Sequence, residues 1–151
     1  MPPLQGHIRE FEIEDLDELF RLRKSLWDEV TAAEHQNEIL DILGKPETQQ
    51  IFVVDRGNGR LAGFLEASIR PLAEDCESEN VGYLEGWYVD EAFRRRGLGR
   101  ELVRMAEDWA RRMGCIEMAS DVEVGNDTSL LAHRSLGYGE TSRLIHLKKA
   151  L

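Results

Sequence analysis

An arginine- and glycine-rich stretch at residues 94–100 has the residue types and spacing best suited to chemistry. It reads Arg94-Arg95-Arg96-Gly97-Leu98-Gly99-Arg100 and lies between an apolar segment and a long helical pattern. Glycines at alternate positions let backbone N–H groups turn toward one anion, and the following helix N-terminus adds partial positive charge. Arginine guanidinium groups bind phosphate oxygens in pairs. The stretch predicts a pyrophosphate-binding loop.

The charge distribution supports this interpretation. Segment 94–112 holds seven arginines and three acids, a net charge of +4, whereas the whole chain carries −10. An arginine-rich, solvated helix start is the alternative, which Gly97 and Gly99 make less favourable. The glycine spacing matches neither the dinucleotide fingerprint GxGxxG nor the GK[ST] ending of a P-loop, so nucleotide hydrolysis has little support.

Two carboxylates stand out against their surroundings. Glu85 interrupts an apolar strand-like run, where an unpaired carboxylate is costly, although a solvent-facing strand position would also explain it. Asp121 follows a predicted strand, at the edge where open α/β sheets place ligand groups, or else it is a turn residue. Residues 71–93 contain seven acids and no Lys or Arg. This region favours a cationic partner, with solubility as the alternative role.

The elements that must position these residues follow from periodicity. Apolar positions at helical spacing predict helices at 16–27, 31–43, 98–113 and 128–136, the second with a Thr31/Glu34 capping box. Apolar or β-branched runs predict strands at 8–13, 51–54, 61–69, 81–89, 116–121 and 144–147. A tight turn at 56–59 predicts a hairpin, and the strand, helix, strand order around residue 105 predicts a parallel pair. The sum is a mixed α/β domain.

Composition restricts the remaining classes. With 151 residues and 42% hydrophobic content, residues 1–151 suit a single domain. The net charge of −10 disfavours nucleic acid and anionic membranes. Cys76 and Cys115 form no metal-binding pattern, so no metal is expected. The start at 1–7 lacks a signal pattern, and no apolar run would span a bilayer, so we expect a soluble cytoplasmic protein.

The pattern Arg94-x-x-Gly97-x-Gly99 resembles the acyl-CoA pyrophosphate loop of the GNAT N-acetyltransferase superfamily. The resemblance implies an acyl-CoA N-acyltransferase fold, a central mixed sheet with a splayed parallel strand pair flanked by helices. It implies acetyl-CoA as the acetyl donor, with the thioester carbonyl polarised by backbone N–H groups around Tyr88 and Val89. Residues 94–100 would bind the diphosphate, and Asn126 would be a second CoA contact.

Further phrases resemble the aminoglycoside 6′-N-acetyltransferases. They are Leu22 to Trp27, Glu66 to Arg70, Leu84 to Val89 and Glu117 to Asp121. The resemblance implies transfer of acetyl to a cationic amino sugar and a role in antibiotic resistance. Glu85 would bind the acceptor ammonium and take its proton, and Asp121 would hold or deprotonate the amine.

The resemblance leaves several roles open. Trp27 would stack on a sugar ring or pack in the core. His133 stands where many members of the superfamily carry a tyrosine and would protonate the leaving thiolate. Alternatively, it is a surface helix residue hydrogen-bonded to CoA or water, and solvent protonates the thiolate. Ala73 and the loop at 30–36 depart from the pattern. His35 would join the acceptor site, or it is an exposed helical histidine, which is the expectation favoured here.

Three functional alternatives remain at this stage. The acceptor is an aminoglycoside, or it is a polyamine, another small amine or a protein N-terminus. A non-catalytic acyl-CoA sensor would use the same arginine and glycine loop. The resemblance also implies a homodimer, and the final strand at 144–147 either forms its interface or pairs within the same chain.

Overall fold

The computed structural model describes residues 6–151. Within these residues the strands are β1 (His7–Glu10), β2 (Gln49–Asp55), β3 (Leu61–Arg70), β4 (Val81–Val89) and β5 (Met118–Ser120). The α-helices of the same part of the chain are α1 (Leu16–Leu26), α2 (Ala32–Leu43), α3 (Leu98–Arg112) and α4 (Asp127–Ser135). The predicted mixed α/β domain is confirmed, as are the hairpin that joins β2 to β3 and the capping box at Thr31 and Glu34.

The strands form one sheet in the order β1-β2-β3-β4-β5. The first four are antiparallel neighbours, and only β4 and β5 run parallel, joined by the crossover through α3. The parallel pair therefore lies at one side of the described sheet. The pair is also short, because β5 is paired only from Gly82↔Met118 to Leu84↔Ser120. Beyond Leu84 the two strands separate.

A β-bulge interrupts β4 at Glu85. Glu66 of β3 pairs with Gly86, while the next β3 residue, Ala67, pairs with Leu84. Glu85 is therefore an extra residue, and such an insertion shifts the alternation of everything that follows it in the strand. The bulge lies directly beyond the last residue that β4 shares with β5.

The two faces of the sheet carry separate apolar clusters. On one face, Leu65 and Ala67 of β3 pack with Leu102, Ala106 and other apolar residues of α3. On the other, Phe64 packs with Leu19 and Leu22 of α1. Because side chains alternate along a strand, β3 supplies both clusters and is buried along most of its length.

Three expectations from sequence are corrected. Residues 144–147 form no strand, because no strand within residues 6–151 pairs with them, and Ile145 and Leu147 are 84% and 90% exposed. The strand expected at 116–121 covers only Met118–Ser120. His35 is 1% exposed rather than solvated, because α2 turns it toward α1.

Within residues 6–151, no helix has the length and apolarity needed to cross a membrane. The same residues include no group of three or more His, Cys, Asp or Glu arranged to hold a metal ion. The first five residues, part of the N-terminal stretch interpreted above, lie outside the described residues.

Candidate active site

The gap between β4 and β5 exposes backbone donors. Before the bulge, the Gly82 N–H donates to Glu117 O on the β5 side, at 3.1 Å. After it, the Asp90 N–H donates to Ala62 O on the β3 side, at 2.7 Å. N–H groups alternate in direction along a strand, so those of Trp87 and Val89 face the side that β5 has left. A carbonyl oxygen in the gap would meet donors fixed in place.

The predicted anion loop leads from this gap into α3. A short 3₁₀ turn at Glu91–Phe93 follows β4, and Arg95 and Gly97 then adopt positive φ angles of 64° and 80°. Gly97 is the N-cap of α3, so the free N–H groups of the first helical turn point back into the loop. Arg94 anchors the loop by donating from Nε to Val89 O at 2.8 Å.

A cavity of about 230 Å³ opens beside the loop, and we call it the loop cavity. It is lined by β4, the loop, the start of α3 and α4, through Trp87, Phe93, Arg95, Gly97, Leu98, Gly99, Arg100, Ala132, Ser135 and Leu136. A positive helix end and two arginines at one small cavity suit a phosphorylated ligand. Five of the sequence-predicted loop residues line this cavity: Arg95, Gly97, Leu98, Gly99 and Arg100.

Trp87 contributes a feature that the sequence analysis missed. Its ring packs on Gly99, where an added Cβ would lie 3.1 Å from the ring, so a larger residue there would crowd the indole. Among the described residues, its Nε1 is the one buried side-chain polar atom without a hydrogen-bond partner. A large aromatic residue next to a glycine-rich loop was the available signal.

Other predicted cofactor residues serve the loop indirectly. The Arg94 guanidinium lies 5.4 Å from the Tyr88 ring centroid, and that of Arg96 lies 5.3 Å from the ring of Phe93. Asn126 is the N-cap of α4, with its side-chain oxygen accepting from the Ser129 N–H. Neither these arginines nor Asn126 lines the loop cavity.

His133 is buried behind the loop cavity. Its Nδ1 lies 2.7 Å from Ser129 O, a group that only accepts, so Nδ1 carries the proton. Its Nε2 lies 2.8 Å from the Ser120 hydroxyl, opposite the last β4 residue before the gap. In the neutral ring Nε2 therefore accepts from Ser120. A proton that moves between His133 and the gap between β4 and β5 would therefore pass through the Ser120 hydroxyl.

A second cavity, of about 400 Å³, lies on the opposite face of β4, and we call it the acidic cavity. Its lining combines four carboxylates with one arginine and several uncharged groups: Arg23, Trp27, Val30, Glu38, Asp41, Ile42, Gln49, Glu66, Ala67 and Glu85. The excess of negative charge favours a cationic occupant.

Glu85 faces this cavity because of the bulge. Its carboxylate accepts from the Arg70 guanidinium, with Nη2 at 3.0 Å and Nε at 3.3 Å from Oε2, and from the Ser68 hydroxyl at 3.2 Å. The side chain remains partly exposed, so one edge is open to the cavity. The Glu85 carboxylate, which interrupts an apolar run in the sequence, is therefore paired with Arg70 and accessible from the acidic cavity.

Asp121 lies just past β5 and is exposed. It accepts a hydrogen bond from the Tyr83 hydroxyl. Burial raises the pKa of Tyr83 above its usual range, and donation to Asp121 raises it further, so the phenol stays protonated and keeps donating. Asp121 does not line the acidic cavity, and the structure brings it to Glu85 only through Tyr83 and Arg70.

Trp27 follows α1 and lines the acidic cavity. Its ring packs edge-on against Phe64 of the core at a centroid distance of 6.0 Å, and its outer edge covers Gly86. Both predicted roles therefore have a contact surface: one part of the indole is packed and another faces the cavity.

The floor of the acidic cavity holds a buried ionic cluster that sequence reasoning missed. Arg23 and Glu66 are 2% and 4% exposed and bond through Nε–Oε2 at 2.6 Å. Arg23 also binds Glu38 at 2.8 Å and His35 Nδ1 at 2.8 Å. Since a guanidinium only donates, His35 accepts at Nδ1, and its Nε2–H is left to donate to Trp27 O. The sequence signal was that Arg23 and Glu66 are charged residues within segments whose apolar spacing predicts a buried helix face and a buried strand.

The two cavities lie on opposite faces of the same few residues of β4, one suited to a phosphorylated thioester donor and the other to a cation. The mixed sheet, the parallel pair that separates after Leu84 and the arginine- and glycine-rich loop are the features that the resemblance to the acyl-CoA transferases of the GNAT class implied. The sequence matches the Acetyltransferase (GNAT) family over residues 13–138, and the chain belongs to that family.

Individual relatives agree with the resemblance found in the sequence. An aminoglycoside N(6′)-acetyltransferase type 1 from Klebsiella aerogenes is 41% identical over 95% of this chain and 96% of its own length. The apo structure of an aminoglycoside antibiotic 6′-N-acetyltransferase from Acinetobacter haemolyticus has a TM-score of 0.89 at 34% identity, covering 96% of this chain and 99% of that one. A third, solved with the bisubstrate analogue CoA-S-monomethyl-acetylneamine, has a TM-score of 0.89 at 34% identity and covers 96% and 98% of the two chains. The predicted family and fold are confirmed.

Proposed function

We propose that this protein is an aminoglycoside 6′-N-acetyltransferase that moves acetyl from acetyl-CoA to an amino group of the antibiotic. The observation that carries the proposal is the placement of the acidic cavity and the loop cavity on either face of residues 85–87. An amino sugar with several ammonium groups matches the first, and a CoA diphosphate matches the second. The relatives named above act on the same class of acceptor.

The reaction is direct transfer, with no covalent enzyme intermediate. Glu85 binds the acceptor ammonium and takes one proton from it through a water molecule. The free amine then attacks the thioester carbon, so a C–N bond forms and electrons move onto the carbonyl oxygen. The Val89 N–H faces the gap between β4 and β5 and stabilises that oxyanion. Tyr88 holds the strand in place by packing against the apolar cluster that contains Phe64, Leu19 and Leu22.

After the attack the nitrogen carries one proton more than an amide nitrogen, and it releases that proton to water. Collapse of the intermediate then breaks the C–S bond and leaves a CoA thiolate and an amide. The thiolate must gain one proton. We assign His133 to this step through the Ser120 hydroxyl, which lies at the start of the gap. Because Nδ1 is committed to Ser129 O, His133 donates through Nε2 only as the imidazolium.

Two further assignments concern the acceptor side, and one concerns the loop that binds the donor. Trp27 provides an apolar surface for a sugar ring at the edge of the acidic cavity. Asp121, held by Tyr83, attracts a second ammonium group of the acceptor. In the loop, Arg95, Gly97, Gly99 and Arg100 bind the diphosphate, while Arg94, Arg96 and Asn126 hold the loop and α4 in position.

The test mixes purified protein with acetyl-CoA and kanamycin or tobramycin and follows thiol release. We expect release that depends on acceptor, with the product acetylated at the 6′-amine by mass spectrometry and NMR. A panel with spermidine and an N-terminal peptide tests the other acceptor classes. CoA binding without turnover on any acceptor contradicts the proposal and favours a sensor.

Two variants test the carboxylates. Glu85→Gln and Asp121→Asn are expected to lower kcat/KM by at least tenfold for the first and less for the second, with CoA affinity unchanged. Glu79→Gln is the matched control, because Glu79 is an exposed acid of the same region that does not line the acidic cavity. Equal loss of CoA affinity in the variants would contradict these roles.

We also propose that the protein is a cytoplasmic homodimer. Residues 144–147 expose apolar side chains, and β5 is the outermost strand of the described sheet, so a second chain could supply the missing neighbour. The free thiols of Cys76 and Cys115 suit a reducing compartment. Sedimentation tests the dimer: removal of residues 141–151 should leave a monomer, and an unchanged oligomeric state contradicts the interface.

A further inference from the structure

One cation already occupies the carboxylate that the acceptor needs. Arg70 binds both oxygens of Glu85, through Nη2 and Nε. Its guanidinium carbon lies 3.4 Å from the centroid of the Tyr83 ring, a close cation–π contact. The Tyr83 hydroxyl in turn binds Asp121. Arg70 is thus in contact with one of the two proposed acceptor-binding carboxylates and is linked by one phenol to the other.

The sequence of β3 explains this position. Glu66, Ser68 and Arg70 are every second residue of β3, so their side chains lie on one face of the sheet. The bulge in β4 directs Glu85 to the same face. The side chain of Arg70 is 43% exposed, and it does not line the acidic cavity. It therefore has room to move away from Glu85 toward solvent along the Tyr83 ring.

An arginine does not lose its charge in a protein, so Arg70 remains a cation beside Glu85. An acceptor ammonium that approaches Glu85 comes within a few ångströms of the positively charged Arg70 guanidinium. In a partly exposed site such like-charge contact weakens binding measurably. The ammonium can use the full carboxylate only when the guanidinium withdraws.

We propose that Arg70 is a specificity-determining residue that occupies the ammonium position at Glu85 in the free enzyme and is displaced by the acceptor. It sets a threshold: only acceptors with enough positive charge to compete in the acidic cavity gain access to Glu85. The inference rests on the proposed function, because it concerns the same acceptor site.

The experiment measures KM for tobramycin, kcat and the CoA dissociation constant in wild type, Arg70→Gln and Arg70→Lys. Arg70→Gln is expected to lower KM for tobramycin roughly three- to tenfold, the scale of one like charge removed from a partly exposed site. Arg70→Lys keeps the charge and should keep a KM close to wild type. CoA affinity should stay unchanged in both.

Arg111→Gln is the matched control, since Arg111 is an exposed arginine that pairs with Asp108 on α3. This substitution also removes one positive charge, but at a position distant from the acidic cavity, so KM for tobramycin should stay unchanged. If Arg70→Gln lost CoA affinity, Arg70→Met would replace it in the test, because methionine keeps apolar contact with Tyr83.

The outcomes separate the two proposals. A KM that stays constant or rises in Arg70→Gln overturns the displacement, as does an equal fall in Arg70→Lys or in Arg111→Gln. In each of those cases the wild type still acetylates tobramycin, and the proposed function stands. A wild type that acetylates no aminoglycoside overturns both.

Discussion

Replacement of Arg23 by methionine tests the buried ionic cluster under the acidic cavity. The guanidinium is 2% exposed and neutralises Glu66, which is 4% exposed. Its loss leaves a buried carboxylate without its cation and His35 Nδ1 without its donor. Breaking a buried ion pair from one side costs about 3–5 kcal/mol, against a total stability of about 5–15 kcal/mol for an ordinary domain.

The loss should depend on pH. Burial raises the pKa of Glu66, and Arg23 opposes that rise, so the pKa climbs further in Arg23→Met. A carboxyl group with a raised pKa in the folded state favours folding below its unfolded pKa, about 4.3, and this contribution is lost as pH rises through the folded value. The gap in unfolding free energy between wild type and variant should therefore widen from pH 5 to pH 8.

Urea unfolding followed by tryptophan fluorescence measures this gap, since Arg23 lies 4.8 Å from the Trp27 ring. Adding Glu66→Gln to Arg23→Met should recover about 2 kcal/mol at pH 8, because the buried charge is gone. Arg111→Met on the exposed face of α3 is the control and should cost less than about 0.5 kcal/mol. A loss under about 1 kcal/mol in Arg23→Met, or a gap that does not change with pH, refutes the reasoning.

Three other substitutions test the site. Gly86→Ala would place a Cβ 2.3 Å from the Trp27 ring, so we expect a loss of about 1–3 kcal/mol by thermal unfolding and a higher KM for the acceptor; a KM like wild type would show that the indole does not border the acceptor. Gly97→Ala forces a left-handed residue, with a strain of roughly 1–2 kcal/mol, and should weaken CoA binding in a titration, whereas unchanged affinity would count against the loop. His133→Gln should lower kcat at least tenfold with CoA affinity retained; a change below twofold would mean that solvent protonates the thiolate.

Local signals predicted most of the fold. Helical spacing of apolar residues placed α1 and α3, and the glycine-rich turn at 56–59 placed the hairpin, because these depend on residues close in sequence. The anion loop was predicted for the same reason: its glycines, arginines and helix start are consecutive. The strand expected at 144–147 was wrong because strand formation also requires a neighbour, which a β-prone run cannot indicate by itself.

In the candidate site, too, some features could be read from the sequence and others only from the tertiary structure. The sequence by itself indicated the family, which is confirmed, and it singled out residues 94–100 and Glu85 as candidate site residues, because each signal rests on residues close together in the chain. Only the tertiary structure decided that a bulge turns Glu85 toward Arg70, that Arg23 joins Glu66 to His35, and that β5 leaves β4 after Leu84. These features join positions far apart in the chain. Their energy comes from burial and from pairing in space, and spacing along a sequence does not record which distant side chains will meet.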